Sequence, residues 1–326
     1  MNRTPRKLAV AAAVAAVLLA AGCGSDGAGA SGGTASGGTS LAVVATTPEV
    51  ADFVRTIGGA DVTVTQLIKP NVDPHEYEPT PADIQAVGAA KLVVKNGVGL
   101  EAWLDQTIES SGFRGTVVDA SQGVTLREGG HEEEEGAEPE AGHADEEHDP
   151  HIWHDPRNAK IMVTGIEKGL AAADPAHAAT FAANLTAYAA KLDKLDADNE
   201  AAFAELPAAQ RKLVTNHDAF GYYVDRYKLE FVGSVIPSLD TSAELSARQL
   251  TDLVAKIRAT GTRAIFTESS LPPKTAEAIA EQAGVKVVGG EDALYGDSLG
   301  APGTPQGTYL GAEEHNTRVI VAALGG

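Results

Sequence analysis

Residues 176–206 read AHAATFAANLTAYAAKLDKLDADNEAAFAEL and contain neither glycine nor proline. The run is rich in Ala, Leu, Lys and Asp, and it follows the helix-starting pair Asp174 and Pro175. A helix of about 30 residues spans about 45 Å, longer than an ordinary domain helix. The run is also short for a coiled coil of three to four heptads. We therefore predict one long linking helix at residues 175–206.

Short apolar runs alternate with helical periods on both sides of this helix. The predicted strands are residues 41–46, 62–68, 92–95 and 116–119 before it, and 212–215, 230–235, 263–267 and 285–288 after it. This alternation predicts an α/β fold in which each lobe has a mostly parallel sheet flanked by helices. We place the N-terminal α/β lobe at residues 41–174 and the C-terminal α/β lobe at 207–326. Ligands bind such folds beyond the carboxyl ends of the strands, so the inter-lobe cleft is the expected site.

The first residues are typical of an export signal. Arg3, Arg6 and Lys7 precede an apolar run over residues 8–21, which is too short to span a bilayer with ease. The LAAGC ending at Cys23 is similar to a bacterial lipobox, although Ala20 replaces the more usual Leu. We predict a signal peptide at residues 1–22, a lipid on Cys23 and a flexible Gly/Ser tether over 23–40. A plain secretory signal with an incidental cysteine is the alternative.

The net charge of −20 argues against a nucleic-acid partner, because phosphate binding needs basic patches. Ten of the acidic residues lie between residues 132 and 149, within a stretch that also holds His131, His143 and His148. Imidazole and carboxylate groups suit divalent cations. We predict an acidic, His-rich loop at 129–149 whose three histidines are weak, accessory metal ligands. A solvated acidic spacer without metal is the alternative.

Four further side chains occupy loops beside strand or helix ends, two in each predicted lobe. His75 follows the second predicted strand, His151 precedes a helix, His217 ends the first strand of the second lobe, and Asp297 follows the last strand. Any one of them alone would more often be a solvated or capping residue than a metal ligand. Together, three imidazoles and one carboxylate make a tetrahedral set acceptable to Zn²⁺.

Five motifs in this order carry a family resemblance. They are DPHEYEPTPAD from Asp73, PHIWHDPRNA from Pro150, NHDAFGYY from Asn216, FTESSLPPK from Phe266 and YGDSLG from Tyr295. Over residues 41–324 the chain resembles the zinc/manganese-type solute-binding proteins of bacterial ABC importers. The resemblance implies metal ligands at His75, His151, His217 and Asp297, and a long helix between the lobes.

The resemblance also implies a function. The expected protein is not an enzyme but a monomeric, lipid-anchored receptor on the outer face of the cell membrane. It would deliver its metal to a membrane permease driven by a cytoplasmic ATPase. Manganese-type members tend to place a carboxylate where this chain has His217, so the set favours Zn²⁺ over Mn²⁺. A manganese receptor is the alternative.

A zinc hydrolase is the rival from another class, with Glu76 or Asp218 as general base. A fourth protein ligand at Asp297 would close the site and argue against catalysis. Three further expectations concern neighbouring residues. Glu76, Glu78 and Asp218 are expected to be solvated, Glu268 to cap a helix or contact the other lobe, and His154, where the family more often has Leu, to be exposed.

Overall fold

The computed structural model describes residues 40–129, 148–243 and 246–326. The predicted signal peptide, Cys23, the tether, His131 and His143 lie outside these ranges. Within them, no helix is both long enough and apolar enough to cross a membrane.

The N-terminal lobe is a four-stranded parallel sheet with helices on both sides. Its strands are β1 (Leu41–Ala45), β2 (Val62–Gln66), β3 (Leu92–Lys95) and β4 (Thr116–Asp119), in the order β2-β1-β3-β4. Its helices are α1 (Pro48–Gly58), α2 (Pro81–Ala89), α3 (Leu104–Ser111) and α4 (Pro156–Ala173). Three of the four begin with proline, directly after Thr47, Thr80 or Asp155, whose side chains accept backbone N–H bonds as N-caps.

The predicted long helix is present as α5 (Ala178–Ala204), with 27 residues. A short 3₁₀ turn, Pro175–His177, precedes it. α5 packs against α1 and α4 of the first lobe and against helices of the second. Phe181, Tyr188 and Leu192 are buried toward its N-terminal half and Phe203 toward its C-terminal end, so one helix contributes to both cores.

The C-terminal lobe repeats the α/β alternation with shorter strands. Its elements are β5 (Lys212–His217), α6 (Gly221–Tyr227), β6 (Glu230–Ile236), α7 (Ala247–Thr260), β7 (Ala264–Phe266), α8 (Lys274–Ala283), β8 (Lys286–Val288) and α9 (Tyr309–Gly325). β5 pairs with β6 and β7 with β8, both in parallel, and β7 lies beside β5. The predicted fold class is therefore confirmed, with element boundaries shifted by one to three residues.

The start of α9 packs into the first lobe. Tyr309 is fully buried, its ring lies 4.9 Å from that of Phe53, and its backbone N–H donates to Asp52. Its hydroxyl donates to the backbone oxygen of Trp153 at 2.7 Å. Trp153 in turn donates to the oxygen of Gly296 at 3.1 Å. These contacts fix the segment after His151 against the loop that carries Asp297.

Candidate metal centre

The fold brings His75, His151, His217 and Asp297 to one point between the lobes. One ligand atom from each lies within 4.8 Å of the others. In the described parts of the chain, this is the only group of three or more His, Cys, Asp or Glu residues that meets this spacing. The side chains of His151, His217 and Asp297 are fully buried and that of His75 is 3% exposed.

His75 is presented by the irregular segment between β2 and α2. Its backbone N–H donates to Oδ1 of Asp73 at 2.9 Å, which closes a turn around Pro74. Its Nε2 lies 3.5 Å from Oδ2 of Asp297 and 3.3 Å from Nε2 of His151. The side chain therefore reaches from the first lobe to a carboxylate of the second.

His151 is held from behind by Asp149. Oδ1 of Asp149 lies 2.8 Å from Nδ1 of His151 and also accepts its backbone N–H at 3.0 Å. The other carboxylate oxygen lies 3.4 Å from the guanidinium of Arg127. A carboxylate at Nδ1 keeps the proton there and leaves Nε2 free to bind a metal. That Nε2 lies 3.3 Å from Oδ1 of Asp297.

His217, at the carboxyl end of β5, has the same arrangement with Glu268. Oε1 of Glu268 accepts the backbone N–H of His217 at 3.0 Å, and its Oε2 lies 2.9 Å from Nδ1. Nε2 of His217 is 3.0 Å from Oδ2 of Asp297. Gly296 makes room for this pair, because a Cβ there would lie 2.1 Å from Oε2 of Glu268. An alanine at 296 would therefore push Glu268 off His217.

Asp297 lies between the three imidazoles, with its oxygens 3.0 to 3.5 Å from their Nε2 atoms. These contacts lack the geometry of hydrogen bonds, so both oxygens of Asp297 and Nε2 of His217 are buried polar atoms with no hydrogen bond to the described residues. Leaving such groups unpaired costs free energy, so native proteins seldom do so. Three ring nitrogens and a carboxylate directed at one point form a donor set that fits a divalent cation.

Burial and charge act in opposite directions on these groups. Burial favours neutral imidazole, and it lowers the pKa of His151 below its usual range. Burial has the same effect on His217, but the charges of Asp297 and Glu268 outweigh it and hold the pKa well above its usual range. Burial opposes ionisation of Asp297, yet His217 and His151 hold its pKa well below the usual range. A cation entering the site displaces protons from the imidazoles, which links binding to pH.

The expectation that His154 is exposed is wrong. His154 is fully buried, its Nδ1 lies 2.8 Å from Oε1 of Glu313 in α9, and its ring stacks 4.5 Å from that of Phe220. Its Nε2 has no hydrogen-bond partner, and it is not in the group of four. His154 packs on Phe220 as an apolar side chain would, and Glu313 pairs with its Nδ1.

Neither of the two residues that orient the imidazoles was predicted from the sequence to do so. Glu268 was expected to cap a helix or contact the other lobe, and Asp149 was counted in the acidic loop. Glu76 and Glu78 are exposed, as expected. Asp218 is half-buried, and burial raises its pKa to about 6. In the described ranges, no hydrogen bond joins these three to a site imidazole.

The last two residues of the predicted acidic loop, 148 and 149, make ordered contacts with the first lobe. Asp149 is fully buried against His151, and its backbone N–H donates to the oxygen of Arg127 at 3.0 Å. His148 pairs with Glu128 in an antiparallel bridge, is half-buried and lies outside the group of four. Residues 148 and 149 therefore belong to the folded lobe. A deletion that reaches Asp149 would remove the partner of His151.

Two α/β lobes joined by a long helix, with three histidines and one aspartate buried between them, form the arrangement of a metal-binding receptor. The model of the ZnuA family, described as zinc-uptake complex component A, periplasmic, matches residues 43–323. The chain belongs to this family of metal-binding proteins of ABC importers.

Known relatives differ in the metal in their names. The chain is 35% identical to the zinc-binding protein TroA of Treponema pallidum, over 86% of this chain and 88% of TroA. It is 32% identical to the manganese-binding lipoprotein MntA of Bacillus subtilis, over 97% and 98% of the two chains. It is also 32% identical to the iron-binding protein YfeA of Yersinia pestis, over 87% and 86%. The solved TroA structure superposes with a TM-score of 0.77, covering 88% of this chain and 99% of that one.

Proposed function

We propose that this protein captures Zn²⁺ outside the cytoplasm and delivers it to an ABC-type membrane permease with a cytoplasmic ATPase. His75, His151, His217 and Asp297 are the ligands in this proposal. The single observation that carries it is the convergence of these four side chains within 4.8 Å, buried between two lobes. The ion is cargo, so the site must bind it tightly and still release it to the permease.

The preference for zinc rests on the donor set. Imidazole suits Zn²⁺, whereas Mn²⁺ prefers oxygen ligands, and this site supplies three imidazoles and one carboxylate. The orienting carboxylates support the same choice, because they keep Nε2 of His151 and of His217 available as metal donors. Similarity to TroA, a zinc-binding protein, agrees with this reading.

Manganese is the second candidate. The observation that favours it is the similarity to MntA, a manganese-binding lipoprotein, which extends over 97% of this chain. Zn²⁺ binds more tightly than Mn²⁺ at most nitrogen and oxygen sites, so affinity alone does not decide the physiological cargo. The ion present in the protein as the cell makes it is the better measure.

Export and anchoring complete the proposal. Residues 1–22 act as a signal peptide, Cys23 carries the lipid, and residues 23–40 tether the folded body to the outer face of the cell membrane. The folded body comprises lobes at 41–174 and 207–326 and works as a monomer. Mass spectrometry of the mature N-terminus tests the anchor: the expected species begins at a lipidated Cys23, and an unmodified cysteine there contradicts it.

Metal analysis decides between the two cargoes. Protein purified without added metal is expected to contain close to one equivalent of zinc. In competitive titration, Zn²⁺ should displace Mn²⁺ from the site. Manganese in the purified protein, retained against added Zn²⁺, would overturn the zinc assignment and favour the manganese receptor.

A ligand variant tests the site itself. His217→Ala removes an imidazole whose Nε2 lies 3.0 Å from Asp297, and Zn²⁺ affinity is expected to fall by orders of magnitude. His177→Ala is the matched control, because His177 is 40% exposed and pairs with Asp174 away from the site. Near-native affinity in His217→Ala would remove His217 from the ligand set. Hydrolytic activity that depends on Glu76 or Asp218 would instead support the zinc hydrolase.

A further inference from the structure

The two imidazoles of the first lobe are held against the second lobe in different ways. The segment of His151 is fastened by buried bonds: Trp153 donates to Gly296, and the hydroxyl of Tyr222 in α6 donates to the oxygen of Asp149 at 3.1 Å. These bonds do not involve a bound ion. They hold His151 next to the second lobe independently of the contacts of its ring.

The loop of His75, residues 69–79, has a lighter attachment. Apart from the buried Pro74, its residues are exposed or half-buried, and Val72 is 39% exposed. Apart from the contacts of His75 itself, two hydrogen bonds of the described residues join this loop to the second lobe. Both involve side chains within two residues of a site residue.

The first bond is made by Asp73. Its Oδ1 accepts the backbone N–H of His75, and its Oδ2 accepts the hydroxyl of Thr241, in the second lobe, at 2.5 Å. One carboxylate therefore fixes the backbone of His75 with one oxygen and fastens it across the cleft with the other. A hydrogen bond to a charged acceptor is stronger than one between neutral groups.

The second bond is made by Ser298, the neighbour of Asp297. Its hydroxyl is buried and accepts the backbone N–H of Asn71 at 2.6 Å. Asn71 has a left-handed backbone with φ 61°, a conformation that asparagine tolerates better than most residues. With this backbone conformation, the N–H of Asn71 points across the cleft to Ser298, in the loop that carries Asp297.

We propose that Asp73 and Ser298 are positioning residues that fasten the His75 loop across the cleft and thereby set how fast the bound ion leaves. The inference rests on the proposed function, since it concerns release of the cargo. An ion bound to four side chains cannot leave until one ligand withdraws, and His75 is on a more lightly attached segment than His151. Both hydrogen bonds must break before the loop can carry His75 away from the ion, so we expect them to slow its departure.

The test compares dissociation and association rates in two single variants and their combination. Thr241→Val keeps the side-chain shape but removes the hydroxyl that donates to Asp73, and Ser298→Ala removes the acceptor for Asn71. Dissociation of Zn²⁺ into excess chelator, followed by stopped flow, should be about two- to tenfold faster in each variant and faster still in the double variant. Association should stay within about twofold.

Thr251→Val is the matched control, because Thr251 is exposed and its hydroxyl donates within α7. The absorption spectrum of bound Co²⁺ should be unchanged in every variant, which reports an intact ligand set. Unchanged dissociation, or a change in the Co²⁺ spectrum, overturns the proposal. The rates are repeated with Mn²⁺, so the test stands even if the zinc assignment fails. Absence of any metal binding by the wild-type protein would overturn both proposals.

Discussion

His151 and His217 are bound to their carboxylates by the same geometry but lie in different electrostatic surroundings. Asp149, behind His151, has the guanidinium of Arg127 at its other oxygen. Glu268, behind His217, packs its other side on Gly296, and no Lys or Arg in the described ranges pairs with it. Each imidazole also faces Asp297, so both sit between two carboxylates, but the carboxylate behind His151 has its charge partly balanced by Arg127. The pKa of His217 is raised and that of His151 is lowered.

Similar hydrogen bonds to His151 and to His217 need not contribute equally to metal binding. An orienting carboxylate fixes the tautomer and raises the basicity of the ligand. A cation paired with the carboxylate reduces the gain in ligand basicity, but the tautomer of the imidazole stays fixed. Glu268 should therefore matter more than Asp149, and substitutions at Glu268, Asp149 and Arg127 test that ranking.

The largest effect on Zn²⁺ affinity is expected for Glu268→Gln. The amide keeps the size of the side chain but removes the charge that faces His217, so Zn²⁺ affinity should fall by about a hundredfold. Competitive titration against a chelator measures this. The control is Glu76→Gln, an exposed residue directly beside His75. An effect of Glu268→Gln no larger than the control would contradict the assignment of Glu268 as the partner of His217.

Glu49 shows what happens to a buried carboxyl with no partner. Neither of its oxygens makes a hydrogen bond, and burial raises its pKa to about 8. In the unfolded chain the group ionises near its ordinary value of 4.5. Between these two values the unfolded state binds fewer protons than the folded one, so Glu49 costs stability as pH rises from about 5 to 8.

Glu49→Gln should remove that cost. Near pH 5 the variant should match the wild type, and at pH 8 it should be more stable by about 4 kcal/mol, because about 1.4 kcal/mol is lost for each pH unit between the two pKa values. Urea unfolding of the metal-free protein at both pH values measures the difference. Glu230→Gln, at an exposed position, is the control. Equal differences at the two pH values would mean that Glu49 is already ionised in the folded protein.

Asp149→Asn should weaken Zn²⁺ binding by about tenfold, less than Glu268→Gln. The amide oxygen can still accept from Nδ1 of His151, so orientation is largely kept, and Arg127 already balances part of the lost charge. Asp225→Asn is the control, because Asp225 also pairs with Arg127 but is 64% exposed and does not contact His151. A larger loss for Asp149→Asn than for Glu268→Gln would reverse the ranking.

The smallest effect is expected for Arg127→Met. Removing the cation leaves Asp149 with its full charge toward His151, so Zn²⁺ affinity should change by about twofold. Combined with Asp149→Asn, the substitution should add little, because both act through the same carboxylate. Arg248→Met, in an exposed pair with Asp252, is the control. If the effects of the two substitutions on Zn²⁺ affinity are additive, Arg127 does not act through Asp149.

Local patterns in the sequence were enough to predict most of the fold. Proline after Thr47, Thr80 and Asp155 marks helix starts, and residues 176–206 lack any residue that ends a helix early. The candidate ligands could be selected because each lies in a motif beside a strand or helix end. Their convergence follows from the parallel strands, whose carboxyl ends meet at one edge.

The supporting residues could not be predicted in the same way. Glu268 is 51 residues from His217, and only the pairing of distant strands brings them together. Asp149 looked like one more charge in an acidic run, because nothing local separates a buried carboxylate from a solvated one. His154 is buried by Phe220 and Glu313, both remote in sequence. Tertiary contacts decide these roles.

The bridge between Glu128 and His148 has a consequence for how this chain can vary. The two ends of the acidic insertion lie side by side in the fold, and Asp149 donates to Arg127 directly beyond them. Closing a loop between two such ends costs only about 0.6 kcal/mol more for each doubling of its length. A chain of this fold can therefore lengthen, shorten or recompose the segment between 129 and 148 while His151 keeps its place.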